Sequence, residues 1–102
     1  MRLYIDTRNR EKIRIVIFEK DKILISKEAN SQINSNTALL LLKDALIEAG
    51  LEMEQISEIE VERGPGSYTG TRVGVAIANS LSFALQIPIN GKEISSIESP
   101  KY

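Results

Sequence analysis

The chain has 102 residues, which gives room for one domain with a modest hydrophobic core. Its formal net charge is −1, so no global basic field attracts it to nucleic acid. It contains neither cysteine nor histidine, which excludes disulfides, thiolate catalysis, Ser-His-Asp triads and histidine-containing zinc sites.

Carboxylate-only magnesium sites remain open on this composition. The longest apolar run, at residues 38–42, is far too short to span a bilayer, and the chain begins without an apolar signal region. We therefore expect a soluble, cytoplasmic protein that does not associate with a membrane.

The N-terminal segment predicts a short first strand. Leu3 and Ile5 alternate with Arg2 and Tyr4, which is the period of a strand with one buried face. The strand is expected to end at the Asp-Thr pair, residues 6–7, and a polar turn to follow it up to residue 11.

Two further strands are predicted next. Residues 12–18 are rich in β-branched side chains, and a polar hairpin connection at residues 19–22 leads to a third strand at residues 23–26 or a little beyond. Sequential strands joined by short turns form an antiparallel meander.

The following segment predicts a helix and then a strand. Ser35 or Asn36 is suited to be the N-cap of a helix that continues to residue 49, and Gly50 supplies its C-terminal stop. Residues 56–63 alternate apolar and acidic side chains, which predicts a fourth strand.

After a glycine-rich loop, residues 70–85 predict a second helix. Pro88 prevents its continuation and allows a last short strand at residues 87–90. The domain is expected to span residues 1–94, with a loose C-terminal tail at residues 95–102.

The predicted order is β-β-β-α-β-α, with the short final β. Helices that follow a meander favour an α/β fold with a mixed sheet and helices packed on it. The same order opens the ribonuclease-H-like lobe of actin-type ATPases, although many α/β folds share parts of it.

The glycine-rich loop, GPGSYTGTRVG, could direct backbone N–H groups at an anion. Its spacing fits neither common phosphate motif. Five residues separate Gly64 from Gly70 and no lysine follows, whereas a P-loop requires four residues and a lysine. Three residues separate Gly66 from Gly70, whereas the dinucleotide fingerprint requires two.

A structural role is the alternative for this loop. Gly64 and Gly66 can adopt backbone conformations that other residues avoid, and Pro65 stiffens the turn. Ser67 or Thr69 is then suited to cap the second helix.

The loop resembles the signature GPGSFTGLRIG of the bacterial TsaB/YeaZ family and differs only at Tyr68, Thr71 and Val73. The Asp-Thr end of the first strand, the meander and the Leu-rich helix also match that family, so the resemblance covers essentially the whole chain. It identifies a signature loop made of Gly64, Pro65, Gly66, Ser67, Tyr68, Thr69, Gly70 and Arg72.

The resemblance implies a non-catalytic scaffold subunit that assists the synthesis of threonylcarbamoyladenosine at adenosine 37 of tRNA. The implied partners are a TsaD-type catalytic subunit and a TsaE-type ATPase, with a homodimer when the chain is alone. Binding of tRNA is implied only through that complex. No cofactor is implied, because the family's nucleotide cleft is degenerate.

This sequence also departs from an active actin-type phosphate loop. Such a loop would read Asp-x-Gly after the first strand, but here Asp6 is followed by Thr7 and Arg8. Asp6 could hold a hydrated cation or cap a turn. Family members have two lobes, and we expect this chain to supply only the first, which cannot close a cleft around a nucleotide.

Helical geometry predicts a partner surface. On the first helix most apolar residues share one arc, whereas Leu40 and Ile47 align on the opposite side. On the second helix Gly70, Gly74 and Ala78 form a stripe of small residues, which suits close approach either of the protein's own sheet or of a partner helix. The resemblance favours a partner. The predicted interface comprises Leu40, Asp44, Ile47, Gly70, Val73, Gly74 and Ile77.

Three rival functions remain open. An ATPase or a peptidase is disfavoured by the missing histidine, cysteine and P-loop. An RNA-binding module would use Arg8, Arg10, Lys12 and Arg14, although such a cluster is also typical of a solvated strand face. The third rival is a self-associating domain with no role in the pathway.

Overall fold

The computed structural model describes residues 1–9, 11–30 and 35–92. The predicted tail at residues 95–102 lies outside the described residues. The element order confirms the predicted α/β class. The elements are β1 (Arg2–Asn9), β2 (Lys12–Glu19), β3 (Lys22–Ala29), α1 (Ser35–Ala49), a 3-10 turn (Met53–Gln55), β4 (Glu58–Val61) and α2 (Tyr68–Leu85).

The four strands form one mixed sheet in the order β3-β2-β1-β4. The β1–β2 and β2–β3 pairs are antiparallel, as a meander requires, and β4 joins β1 in parallel. Parallel pairing needs a long crossover, and α1 provides it between β3 and β4.

Both helices pack on one face of the sheet. Alternate side chains of β1 and β2 are almost fully buried there, and they form one core with the inner faces of α1 and α2. The strand residues in this core include Leu3, Ile5, Ile13, Ile15 and Ile17. No helix in the described ranges is long and apolar enough to cross a membrane.

The prediction that β1 ends at residues 6–7 is wrong, because the strand continues through Asn9. Thr7 is fully buried and donates from Oγ1 to the carbonyl of Gly70 at 2.5 Å. The carbonyl of Arg8 accepts a hydrogen bond from the Ser67 amide at 2.7 Å. These polar residues stay extended because the start of α2 supplies their partners, which a local pattern does not reveal.

The fourth strand is shorter than the predicted residues 56–63. Ile56 is the C-cap of the 3-10 turn, so the strand begins only at Glu58. The predicted last strand at residues 87–90 is reduced to two isolated bridges of Ile89, a parallel one to Ile59 and an antiparallel one to Lys92.

The helix ends lie within two residues of the predicted positions. Helix α1 begins at Ser35, one residue earlier than a Ser35 cap would give, and Gly50 follows its end with φ of +69°. Helix α2 begins at Tyr68, two residues before the predicted start, because Ser67 rather than Thr69 is its N-cap; the Ser67 Oγ accepts from the Gly70 amide at 3.2 Å.

One buried hydroxyl in α2 has no hydrogen-bond partner. Thr71 is fully buried, and its Oγ1 is unpaired. Valine has a similar shape, with a methyl group in place of the hydroxyl, so it avoids the cost of burying an unpaired polar group. Thr71→Val is therefore expected to raise the free energy of unfolding by about 1 kcal/mol. Thr69→Val, on the exposed first turn of the same helix, is the control and should change it by less than about 0.5 kcal/mol. A loss of stability for Thr71→Val in urea titrations would contradict this expectation.

Candidate functional site

The signature loop packs directly against the end of β1. A Cβ atom added at Gly66 would lie 2.6 Å from the Arg8 Cβ and 2.9 Å from the Arg8 carbonyl oxygen. Gly64 has φ of +119°, a conformation that glycine adopts far more readily than other residues. The structural role of Gly66 is therefore supported by a close approach to the backbone of Arg8, and that of Gly64 by its backbone conformation.

Gly74 is needed for a contact inside the chain. A Cβ atom added there would collide with the Thr7 Oγ1 and lie 3.3 Å from the Thr7 Cβ. Gly70, Gly74 and Ala78 are all buried, so the small-residue stripe of α2 faces the protein's own sheet. This corrects the interpretation of the stripe as a partner-facing surface.

The other predicted interface residues differ in exposure. Leu40 and Ile47 are 62% and 66% exposed, and Asp44 is exposed between them. Val73 is half-buried and Ile77 is buried, so α2 offers less of this surface than predicted. We call Leu40, Asp44 and Ile47 the α1 face.

A small apolar groove lies between the two helices, beside the α1 face. Its volume is about 220 Å³, and it is lined by Leu39, Ala76, Ile77, Ser80 and Leu81. Leu39 follows the inner arc on the helical wheel but is 46% exposed. Leu39 is the residue through which α1 contributes to the groove, and α2 supplies the rest of its lining.

At the position for which the sequence predicts a degenerate phosphate loop, Asp6 is held by Arg8. The Arg8 Nε and Nη2 donate to Asp6 Oδ1 and Oδ2, each at 3.1 Å, and the Arg8 amide donates to Oδ1 at 3.0 Å. Burial alone would raise the pKa of Asp6, but the hydrogen bonds and charge of Arg8 outweigh it and lower the pKa. Thr7 points to the opposite face of the sheet, towards α2.

Tyr4 and Glu62 extend this ion pair into a network on the open face of the sheet. The Tyr4 hydroxyl donates to Glu62 Oε1 at 3.0 Å, and Arg8 Nη1 lies 3.6 Å from Glu62 Oε2. Burial and then the charge of Asp6 raise the pKa of Tyr4, so its hydroxyl remains a donor. The network ties β1 to the segment after β4. Of the two alternatives for Asp6, the capping carboxylate has one feature here, the hydrogen bond from the Arg8 amide to Oδ1, although both residues lie within β1.

Replacing Asp6 with asparagine should lower the free energy of unfolding by about 1–2 kcal/mol near neutral pH, because it removes charge-assisted hydrogen bonds. The folded pKa of Asp6 is lowered, so its contribution is complete above the unfolded value of about 3.9 and is lost as pH falls through the lower folded value. The difference between wild type and Asp6→Asn should therefore shrink below about pH 4.

Urea titrations across this pH range measure the difference. Asp21→Asn, in the exposed β2–β3 turn, is the control for substituting a solvated carboxylate. A difference that is independent of pH would contradict the assignment of Arg8 as the partner of Asp6.

Sequence reasoning singled out Asp6, Thr7 and Arg8 but missed Tyr4 and Glu62. Both missed residues are brought to the site by the parallel register of β1 and β4, which a single sequence does not encode locally. Within the described ranges no group of three or more acidic, histidine or cysteine side chains is placed to hold a metal ion.

Comparisons with known proteins identify the family. The model described as "TsaD: tRNA N6-adenosine threonylcarbamoyltransferase" matches residues 25–99. The "tRNA threonylcarbamoyladenosine biosynthesis protein TsaB" of Bacillus subtilis is 33% identical over 98 residues, which cover 95% of this chain and 42% of that protein. The protein of the same name from Buchnera aphidicola (subspecies Schizaphis graminum) is 32% identical over 83 residues, covering 80% of this chain and 40% of the relative.

Transferases and a solved structure match as well. A "tRNA N6-adenosine threonylcarbamoyltransferase" of Trichlorobacter lovleyi is 43% identical over 51 residues, 50% of this chain and 15% of the transferase. The structure "YeaZ from Pseudomonas aeruginosa" superposes with a TM-score of 0.79 at 28% identity, covering 86% of this chain and 42% of YeaZ. The chain thus spans about two fifths of the TsaB relatives it matches. It belongs to the TsaD family that the matching model describes and, within it, to the TsaB/YeaZ group.

Proposed function

We propose that the chain is a non-catalytic subunit for threonylcarbamoyladenosine formation at adenosine 37 of tRNA. In this proposal it acts by binding a TsaD-type threonylcarbamoyltransferase subunit through the α1 face, and a TsaE-type ATPase joins them. The names of the TsaB relatives support the pathway. The single structural observation that carries the partner role is the exposure of Leu40 and Ile47 on α1.

Exposure of these two side chains is costly without a partner. Single exposed apolar residues are normal on a protein surface, but these two are aligned on one face and lie about 10 Å apart along the helix. Full burial of one such side chain contributes about 1.5–3 kcal/mol. Leu39 and the groove between the helices add further exposed apolar surface, although neither Leu40 nor Ile47 lines that groove.

A transferase subunit suits this surface because it is related to the chain itself. The transferase model matches residues 25–99, a range that contains both α1 and α2. A transferase subunit is therefore expected to carry a similar pair of helices. Two such pairs can pack helix on helix about an approximate twofold axis. A second copy of this chain offers the same surface, which accounts for the expected homodimer when the transferase is absent.

The absence of catalysis is supported by the state of the degenerate phosphate-loop position. Both carboxylate oxygens of Asp6 accept hydrogen bonds from the guanidinium of Arg8. A calorimetric titration of the chain with magnesium and ATP should give no measurable heat of binding. Binding in the micromolar range would favour the rival function of a nucleotide-binding ATPase.

Reconstitution of the modification tests the proposal. The transferase and ATPase subunits are combined with a tRNA transcript, with and without this chain, and the modified nucleoside is quantified. Product should increase when the chain is added, and the chain without the transferase should give none. Product formed by the chain alone would make it an enzyme, and no response to its addition would favour a self-associating domain outside the pathway.

A further inference from the structure

A second surface lies at one end of the sheet, away from the α1 face. It is an open groove of about 480 Å³ where the ends of β1 and β3 and the start of β2 meet the signature loop. Its charged lining comes from Asp6, Arg8, Lys12, Arg14 and Glu28, and the Pro65–Gly66 turn forms one wall.

The charged residues that line the groove include three cations and two carboxylates, and a third carboxylate, Glu62, lies outside the lining at 3.6 Å from Arg8. Arg8 is committed to Asp6 by two hydrogen bonds of 3.1 Å. Lys12 and Arg14 share a single carboxylate, Glu28, at the long distances of 3.7 and 3.9 Å. One carboxylate cannot neutralise two cations, so the lining carries one more positive than negative charge.

Lys12 and Arg14 are available to an incoming anion. Their side chains and that of Glu28 are 46–48% exposed, and ion pairs this exposed contribute little to stability. An anion that displaces Glu28 therefore costs the fold little. The two cations lie on the same side of β2, about 7 Å apart along the strand, and both residue types bind phosphate.

The geometry points to an extended polyanion. No described side chain that lines the groove is aromatic, so it offers no platform on which a base could stack. Enclosure is the usual feature of small-ligand sites, whereas this groove is open along its length. Contacts of this kind hold a phosphate backbone without reading its sequence.

We propose that the groove binds the phosphodiester backbone of a structured RNA through Lys12 and Arg14. The choice of a tRNA as the probe rests on the proposed function. The positions and charges of the groove residues do not depend on that function. This proposal departs from the resemblance, which implies tRNA binding only through the complex, because it gives the chain phosphate contacts of its own. Within an assembled complex these contacts would add to those of the other subunits.

The test uses the chain alone and a tRNA transcript, with binding followed by amide NMR shifts at several salt concentrations. Each phosphate contact contributes roughly 0.7–0.9 to the slope of log affinity against log salt. Two contacts therefore account for about a tenfold loss of affinity between 50 and 200 mM salt. The double variant Lys12→Gln/Arg14→Gln should bind with a salt slope that is smaller by the contribution of these two contacts. The amide shifts that tRNA causes in the wild-type chain should lie in residues around the groove.

The matched control is Lys20→Gln/Lys22→Gln, which removes the same charge from exposed positions at the opposite end of the β2–β3 hairpin. It should retain the wild-type slope. Removing the competing carboxylate with Glu28→Gln should strengthen binding several-fold, whereas Glu54→Gln, in the 3-10 turn, should not.

Equal effects of the two lysine-containing double variants would overturn the proposal, because they would indicate non-specific charge attraction. So would tRNA shifts located away from the groove, the absence of any tRNA binding at 50 mM salt, or competition by inorganic phosphate at the same concentration as RNA phosphate. Because no transferase is present, failure here is distinguishable from failure of the proposed function.

Discussion

Gly74→Ala is expected to lower the free energy of unfolding by about 2 kcal/mol, even though alanine is the better helix former. In an unhindered helix the same change would raise stability by about 1 kcal/mol. Here the new methyl group collides with the Thr7 Oγ1. Thr7 cannot rotate away freely, because it is β-branched, fully buried and hydrogen-bonded to the Gly70 carbonyl.

Three further variants isolate the cause of this loss. Ser80→Ala, at an exposed position of α2, should be neutral or slightly stabilising by propensity alone. Thr7→Ala removes the colliding Oγ1, so Thr7→Ala/Gly74→Ala should lose at least about 1 kcal/mol less than the sum of the two single losses. Additive losses in urea titrations, or a Gly74→Ala protein as stable as wild type, would contradict the assigned contact.

Ile47→Glu is expected to weaken binding of the transferase subunit at least about 100-fold, which corresponds to about 2.7 kcal/mol. Ile47 is 66% exposed, so its apolar surface is available to a partner, and burial of an unpaired carboxylate there is strongly unfavourable. Asp44, one turn earlier on the same face, adds like-charge repulsion. The isolated chain should stay folded, with its stability changed by less than about 0.5 kcal/mol.

The control for Ile47→Glu is Leu24→Glu. Leu24 is also an exposed apolar residue, 42% accessible, but it lies on β3 near the hairpin turn instead of on α1. Isothermal titration with the transferase subunit should therefore give wild-type affinity for Leu24→Glu. If both variants bind with wild-type affinity, the α1 face is wrongly assigned. If both variants lose affinity, the added negative charge rather than its position on α1 is the cause.

The parts of the fold that follow from local periodicity were predictable from the sequence. The β-branched run of β2 and the exposed pair Leu40 and Ile47 depend only on side-chain spacing along one element. The Ser67 cap also follows from residue type at a helix start.

The parts that depend on distant contacts were not predictable. The cost of a helical glycine indicated that Gly74 fills a tight place, but the contacting residue, Thr7, is 67 positions earlier. The same contact keeps β1 extended beyond its predicted end. Glu62 joins Tyr4 only because Val61 pairs with Ile5 in the sheet register.

The small-residue stripe of α2 shows why both the residue spacing along a helix and the distant contacts of the fold are needed. Its spacing predicted close packing correctly, but spacing alone did not distinguish the protein's own sheet from a partner helix. The structure buries Gly70 and Gly74 against β1 and leaves Leu40 and Ile47 uncovered. The proposed interface has therefore moved mainly to α1.

Light scattering on a gel-filtration column tests the central claim most directly. The chain is loaded alone, then with an equimolar amount of the TsaD-type transferase subunit. The account predicts one peak with the mass of a one-to-one complex for the mixture, and loss of that peak with Ile47→Glu. Two separate peaks, with this chain unchanged from its elution alone, would contradict it.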